Sequence, residues 1–312
     1  MPVAALADKL MRMLMQAPEA RLLPALRQQL GVSECEMEAL IHALETAGCG
    51  LLQEGETLSL AVKWHPLSIE SVGARLLELG WRLDYRMVTG STNDDGLDLA
   101  LNAAPTVHVA ECQLAGRGQH GRSWGAVPGA ALTFSLSLPV SAERVRAPLW
   151  IGLRAGQALR EGLPAEARAR VAIKWPNDLV VGRRKLAGIL AQSRSRGDRA
   201  RLVLGVGINV RAAPKVAGRD TVSLADLGAC PIRETLLVAL VGALGEALRE
   251  PLEPQRIRAA WSREVDALHG RPVRTESGLA GLGQGLAPDG SYRLYTGTGE
   301  CAVSAGDRIV QW

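Results

Sequence analysis

The stretch from residue 170 to residue 209 constrains the fold more than any other. It holds four apolar segments, 170–174, 178–182, 186–194 and 200–209, and the last two are separated by the turn Arg196-Gly197-Asp198-Arg199. Gly and Asp in so short a break mark a tight turn, and strand-like segments joined that way pair as antiparallel neighbours. Upstream, 82–88, 106–111 and 130–138 read as further strands, while helical spacing predicts helices over 68–79, 92–102, 143–161, 233–249 and 254–265. Helices grouped between runs of hairpin-connected strands predict an α+β fold on a mixed sheet.

The two ends read differently. Residues 4–15 have helical periodicity, and EARLLPALRQQL (19–30) predicts a second helix stopped by Gly31. Ser33 followed three residues later by Glu36 is a capping box, which opens a helix over 34–47 with Leu40, Ile41 and Leu44 inward. LLQEGETLSL (51–60) predicts a hairpin around Glu54-Gly55-Glu56. Three helices and a hairpin are the outline of a winged helix-turn-helix. AVKWHP (61–66) reads as a linker closed by Pro66, and from residue 270 onward short Gly-punctuated alternation predicts a small β-barrel of about five strands. The expected division is 1–65, 66–268 and 269–312.

With one Phe, three Tyr and seven Trp, the core is expected to be built from Leu, Val, Ile and Ala. Cys35, Cys49, Cys112, Cys230 and Cys301 are scattered without a CxxC pair, which suggests neither a zinc site nor a disulfide framework and fits a reduced, cytoplasmic compartment. The first 16 residues lack the ordered parts of a signal peptide, and no run of 18 apolar residues predicts a membrane span. The net charge of +4 is uneven: residues 1–65 hold five Lys/Arg against eight Asp/Glu, and residues 66–312 hold 31 against 24.

Four motifs carry chemistry. Ser91-Thr92-Asn93 follows a strand and predicts an N-cap, which is also where a helix start meets a ligand. GRGQHGRSW (116–124) is too rich in glycine for a packed strand or stable helix; it is either a mobile basic loop or one whose amides and guanidiniums surround an anion. KWPND (174–178) is a turn whose Asp178, between Lys174 and Lys185, suits Mg²⁺, a ribose or a salt bridge. GVGIN (205–209) lets something approach its strand closely, a ligand or another part of the sheet, and Asn209 offers a donor and an acceptor. Only five of the 36 basic residues are lysine, yet Lys174 and Lys185 lie eleven residues apart. A compact ammonium does what a planar guanidinium cannot, so the choice itself is information.

In order, STN, E-x-Q-x-A-G-R-G-x-x-G-R-x-W, KWPND-x(6)-KLAGIL and G-x-G-x-N resemble the biotin protein ligases over nearly the whole chain. With the N-terminal unit, the chain is similar to the bifunctional ligase and biotin-operon repressor type. The resemblance implies a class II synthetase-like catalytic domain with a C-terminal SH3-like barrel. It implies that biotin and ATP, with Mg²⁺, form biotinyl-5′-AMP, and that biotin passes to a lysine of the biotin carboxyl carrier protein of acetyl-CoA carboxylase. A homodimer is a further partner it allows. On matching residues it implies biotin contacts from Ser91, Thr92, Asn93, Gln113, Arg117, Gly118, Gln119 and Lys185, with Lys185 and Arg117 catalytic. It implies ATP contacts from Arg122, Trp124, Lys174, Asp178 and Asn209, with Asp178 beside the metal. Lys185 would neutralise the two anions that must meet, carboxylate and α-phosphate. Lys174 would contact the nucleotide or pair with Asp178.

Two positions depart from the family pattern. Gln119 replaces the second arginine of GRGRxG, a charge that a protonated His120 would partly restore. The presumed recognition helix and hairpin carry Glu34, Glu36, Glu38, Glu45, Glu54 and Glu56, with no Lys or Arg between 31 and 60. DNA binding is therefore not expected. A lipoyl- or octanoyl-transferring relative is the other reading, disfavoured by the complete GRG, KWPND and KLAGI set.

Overall fold

The computed structural model describes residues 2–17, 19–61 and 64–312; Val62 and Lys63 of the linker and the side chain of His120 lie outside the described part. The N-terminal elements are α1 (Val3–Gln16), β1 (Arg21–Leu22), α2 (Leu23–Leu30), α3 (Glu34–Thr46), β2 (Leu51–Glu54) and β3 (Thr57–Leu60). α3 begins with the capping box: Ser33 Oγ accepts from Glu36 N, and Glu36 accepts from Ser33 N at 2.7 Å. The helix expected over 19–30 begins only at Leu23. Pro24 lacks an N–H and clashes with the carbonyl four residues back, so it fits only a first turn. Arg21 and Leu22 instead pair with β3.

The central part runs α4 (Ile69–Glu78), β4 (Arg82–Thr89), α5 (Thr92–Asp98), β5 (Thr106–Gln113), β6 (Ala131–Ser141), α6 (Pro148–Glu161), α7 (Ala165–Arg168), β7 (Ala172–Lys174), β8 (Asp178–Val181), β9 (Arg184–Arg196), β10 (Arg199–Asn209), α8 (Arg233–Arg249) and α9 (Pro254–Ala259). The strands form one seven-stranded mixed sheet in the order β4-β5-β6-β10-β9-β8-β7. β4 and β5 are parallel, joined through α5, and the remaining pairs are antiparallel. Its apolar core is almost entirely Leu, Val, Ile and Ala, with Phe134 and Trp81.

Three predicted helices are shorter than expected, each for a visible reason. α5 ends at Asp98 because buried Arg201 takes the carbonyls of Ala100 and Ala103, and Arg194 takes that of Leu99. Pro148 starts α6, leaving only a 3-10 turn over Arg144–Arg146. After α9 the chain breaks into turns, where Val265 O accepts from Ile173 N of β7 and Ala267 N donates to Ile173 O.

The C-terminal strands β11 (Pro272–Thr275), β12 (Ala280–Leu286), β13 (Tyr292–Thr296), β14 (Gly299–Val303) and β15 (Ile309–Gln311) form a five-stranded antiparallel sheet in the order β14-β13-β12-β11-β15. At its junction with the central part, aromatics join the expected aliphatic residues. Trp150, Trp175, Trp261 and Tyr292 share one buried cluster, with Trp175 and Tyr292 rings 5.9 Å apart.

The N-terminal unit is joined to the central sheet by a common core. Leu10, Met11 and Leu44 pack in one cluster with Met87, Val88 and Cys112. β4 is the sheet's edge, whose free amides α1 covers: the Asp8 carboxylate accepts from Met87 N at 2.6 Å and Val88 N at 3.1 Å. Arg12 holds Asp8 at 2.7 Å. An edge strand so covered is protected against pairing with another chain.

Candidate active site

Two glycines of β10 shape the floor of a cleft. A Cβ at Gly205 would overlap the side-chain amide of Asn93, and one at Gly207 would overlap the Trp124 indole. The close approach read from GVGIN is therefore real, and the approaching groups are two motif side chains.

The N-terminus of α5 is held from below. Gln113 Oε1 accepts from Thr92 N at 2.8 Å and Thr92 Oγ1 at 3.1 Å, leaving its amide nitrogen free among the described residues. Ser91 occupies the N-cap position, but its hydroxyl makes no capping bond. Asn93 is fully engaged: Nδ2 donates to Leu190 O and to Gln192 Oε1, and Oδ1 accepts from Ser135 Oγ at 2.7 Å. It lines the cleft as a brace, with its polar capacity spent on the protein.

The Gly-rich segment forms a closed strap. Gly118 N donates to Arg122 O at 2.7 Å, and Trp124 N to Gly116 O at 2.9 Å. Arg117 reaches Asp94 at 2.9 Å across the cleft mouth. Under the strap, Lys185 Nζ donates to Asp178 Oδ1 at 2.5 Å and lies 5.5 Å from the Trp124 ring centre. The partner of Asp178 is thus Lys185 rather than Lys174. Lys174 donates to Ile309 O of the C-terminal sheet and lies 5.7 Å from the Trp312 ring. Burial pushes its pKa down, with Lys185, Arg219 and Arg122 acting the same way against Asp178.

The smaller cleft is lined by Ser91, Thr92, Asn93, Gln113, Arg117, Gly118 and Trp124. A larger groove of about 750 Å³ opens beside it against the C-terminal sheet and carries Arg122, Lys174, Arg183, Arg219 and Arg308, facing Asp178, Asp220 and Asp307. Lys185, Gln119 and Asn177 line both. Burial and the nearby Arg308 and Arg219 guanidiniums push the pKa of Arg122 down, and its Nε has no partner among the described residues. Such a cluster of like charges suits a polyanion. Trp124, expected on the nucleotide side, lines the smaller cleft. Asn209 lines neither cavity. It is 1% exposed, its Nδ2 donates to Lys185 O and Val222 O, and Oδ1 alone is unspent.

Sequence reading missed Ser135, Gln192, Asn177, Arg219 and Arg308. A signal existed for the first: Thr133, Ser135 and Ser137 alternate within an apolar strand, which puts a polar stripe on one face. The arginines gave none, since they are brought in from distant loops.

The mixed sheet thus carries a glycine-floored cleft, a basic strap and a lysine joining that cleft to a cationic groove. The sequence pattern of the Biotin/lipoate A/B protein ligase family matches residues 85–209. The biotin–[acetyl-CoA-carboxylase] ligase of Mycobacterium tuberculosis is 36% identical over 258 residues, 78% of this chain and 96% of that protein. The bifunctional ligase/repressor BirA of Escherichia coli is 34% identical over 197 residues, 60% of each chain. The solved biotin protein ligase of Aquifex aeolicus, in complex with biotin and ATP, shares the fold with a TM-score of 0.62 at 22% identity, over 74% of this chain and 99% of that one. The chain belongs to the biotin protein ligase family.

Gly207→Ala is expected to raise the KM for biotin about tenfold with a smaller change in kcat, because the new methyl displaces Trp124 and overpacking costs roughly 1–3 kcal/mol. Steady-state kinetics at saturating ATP tests this. An unchanged KM would show that Trp124 has no part in shaping the cleft.

Proposed function

We propose that the chain is a biotin–protein ligase, forming biotinyl-5′-AMP from biotin and ATP and transferring biotin to a lysine of the biotin carboxyl carrier protein of acetyl-CoA carboxylase. The observation that carries this is Lys185 at the junction of a polar cleft and a cationic groove. The first step brings a carboxylate oxygen onto the α-phosphorus as pyrophosphate leaves. The ammonium of Lys185 offsets the repulsion between the two anions, and Asp178 holds that ammonium in place. In the second step the carrier's lysine amine attacks the acyl carbon, AMP leaves, and a proton is lost from nitrogen.

Biotin is read into the cleft of Ser91, Thr92, Gln113 and Gly118, with Asn93 bracing it and Arg117 closing the mouth. The free amide nitrogen of Gln113 suits the ureido carbonyl. Arg122, Lys174, Arg219 and Arg308 are read as the triphosphate site. Asn209, which lines neither cavity, is read as a support that positions Lys185 through its carbonyl rather than as an adenine contact. No group of three or more metal-ligating side chains occurs among the described residues. Mg²⁺ binds through one or two carboxylates together with substrate phosphates. Asp178 would hold it, and it would supply charge neutralisation at the phosphates.

The decisive experiment incubates the protein with ATP, a carrier domain and radiolabelled biotin, with lipoate in a parallel arm. Label on the carrier's lysine supports the reading; transfer of lipoate alone would replace it with lipoyl transfer.

Gln119 lines both cavities where the family carries an arginine. Gln119→Arg is expected to slow dissociation of preformed biotinyl-AMP about tenfold, since a charge-assisted hydrogen bond contributes about 1.5–3 kcal/mol. An unchanged or faster rate would mean that the missing charge is supplied elsewhere.

We read the flanking units as a winged helix-turn-helix over 1–65 and an SH3-like barrel over 269–312, around a catalytic domain over 66–268. The first is read as a support rather than a DNA reader. Glu34, Glu38, His42 and Glu45 are exposed on α3, and Glu54 and Glu56 on the hairpin. Affinity for duplex DNA comes mainly from Lys and Arg releasing counterions. Fluorescence anisotropy at about 50 mM salt, with biotin and ATP present to allow a homodimer, is expected to show no submicromolar binding to a palindromic biotin-operon site. Salt-sensitive submicromolar binding would overturn this. Among the described residues no helix is long and apolar enough to cross a membrane. A cytoplasmic location is the reading that ATP and a carboxylase subunit as substrates favour.

A further inference from the structure

Two cysteines that sequence spacing gave no reason to connect meet at the seam between the N-terminal unit and the central sheet. Cys49, just past α3, and Cys112, on β5, lie 63 residues apart in sequence with their Sγ atoms 3.1 Å apart. Both are buried, at 0% and 3% exposure, in the cluster that joins the two units. Both are free thiols. Cys112 precedes Gln113 on one strand, and successive side chains point to opposite faces, so the thiol lies on the back of the strand that lines the cleft.

We propose that Cys49 and Cys112 form an oxidation site, a thiol pair that hydrogen peroxide converts into a disulfide linking the N-terminal unit to the catalytic sheet. In the first step one thiol gives up its proton and the thiolate attacks a peroxide oxygen; the O–O bond breaks, the leaving hydroxide takes that proton and departs as water, and a sulfenic acid remains. In the second the partner sulfur attacks the sulfenic sulfur, the S–O bond breaks, and a second water leaves. Two sulfurs lose two electrons in total, and peroxide gains them. The geometry favours the second step, because the partner sulfur is already in contact. The first step is slow: the contact with Cys112 and burial push the Cys49 thiol pKa up, and only the thiolate reacts. A small uncharged oxidant entering when the seam opens is therefore required. Cys35 and Cys230 are exposed and provide an internal comparison in the same molecule.

The test uses the full chain under native conditions. It is treated with hydrogen peroxide, denatured, alkylated with iodoacetamide and digested without reductant for mass spectrometry. The expected result is a peptide pair joined through Cys49 and Cys112, lighter by two hydrogens than the separate peptides and separated by dithiothreitol. Cys49→Ala and Cys112→Ala each abolish it. Thermal unfolding of the oxidised wild type shifts upward on the order of 5 °C, as cross-linking a long loop predicts. The proposal is overturned if Cys49 and Cys112 are recovered as alkylated thiols after Cys35 and Cys230 are fully oxidised. Conversion of either to an unlinked sulfinic acid would overturn it equally.

Discussion

Replacing Lys185 with arginine is expected to lower the rate of biotinyl-adenylate formation about 100-fold and to leave biotin affinity within a factor of a few. The charge survives the substitution, and the shape does not. The Nζ sits between Asp178 and the Trp124 ring, and directly over Gly188, where even a Cβ would come within 3.0 Å of it. A guanidinium is wider than that slot, so it must leave Asp178 or displace the indole. Either way it leaves the place proposed for the ammonium, between carboxylate and α-phosphate. Contacts of this kind, realised mainly in the transition state, contribute roughly 3 kcal/mol, which is the origin of the factor. Single-turnover formation of biotinyl-AMP, with biotin binding measured separately by calorimetry, separates the two effects. A near-normal rate in the variant would remove Lys185 from the chemistry.

Glu111→Ala is expected to destabilise the protein by about 3–5 kcal/mol, the usual cost of leaving one member of a buried ion pair alone. Glu111 and Arg233 have side chains 0% and 2% exposed, paired at 2.7 Å. The carboxylate also accepts from Tyr85 at 3.0 Å and from Leu67 N at 2.8 Å, while the guanidinium reaches Ala131 O and His65 O. One pair thus ties α8, β4, β5, β6 and the end of the linker together. Without the carboxylate the buried arginine keeps its charge and loses its counterion. Thermal denaturation should show a Tm lower by on the order of 10 °C, and Glu111→Gln, which keeps acceptors without the charge, a smaller drop. A change under about 1 kcal/mol in the alanine variant would mean that water relaxes into the site and that the seam is softer than its packing indicates.

What local chemistry decides was legible in the chain. α8 spans the predicted 233–249, the capping box at Ser33 opens α3, and the hairpin turn at Gly197 separates β9 from β10. These follow from periodicity, caps and turn residues, which act within a few positions of one another. The three shortened helices show the limit. α5 stops where Arg201, about a hundred residues on, takes its next carbonyls. That competition belongs to tertiary packing and has no local trace.

The site divides the same way. The motifs named the residues that converge on the cleft, because a glycine-floored strand, a basic strap and a lysine near an aspartate are recognisable chemistry in one dimension. Which lysine holds Asp178 was undecided until β8 and β9 paired, bringing Lys185 within 2.5 Å and sending Lys174 to the C-terminal sheet. That Asn93 braces rather than offers free hydrogen bonds depends on Ser135 and Gln192, from two other strands. The cations of the groove come from loops as distant as Arg122, Arg219 and Arg308. Sequence by itself determined most of the elements, though not all of their ends, together with the family and the kind of chemistry, since these rest on residue type and short spacing. Only the tertiary structure decided partners, spent donors and the seam joining Cys49 to Cys112, because a side chain's neighbours are set by how whole strands and helices pack.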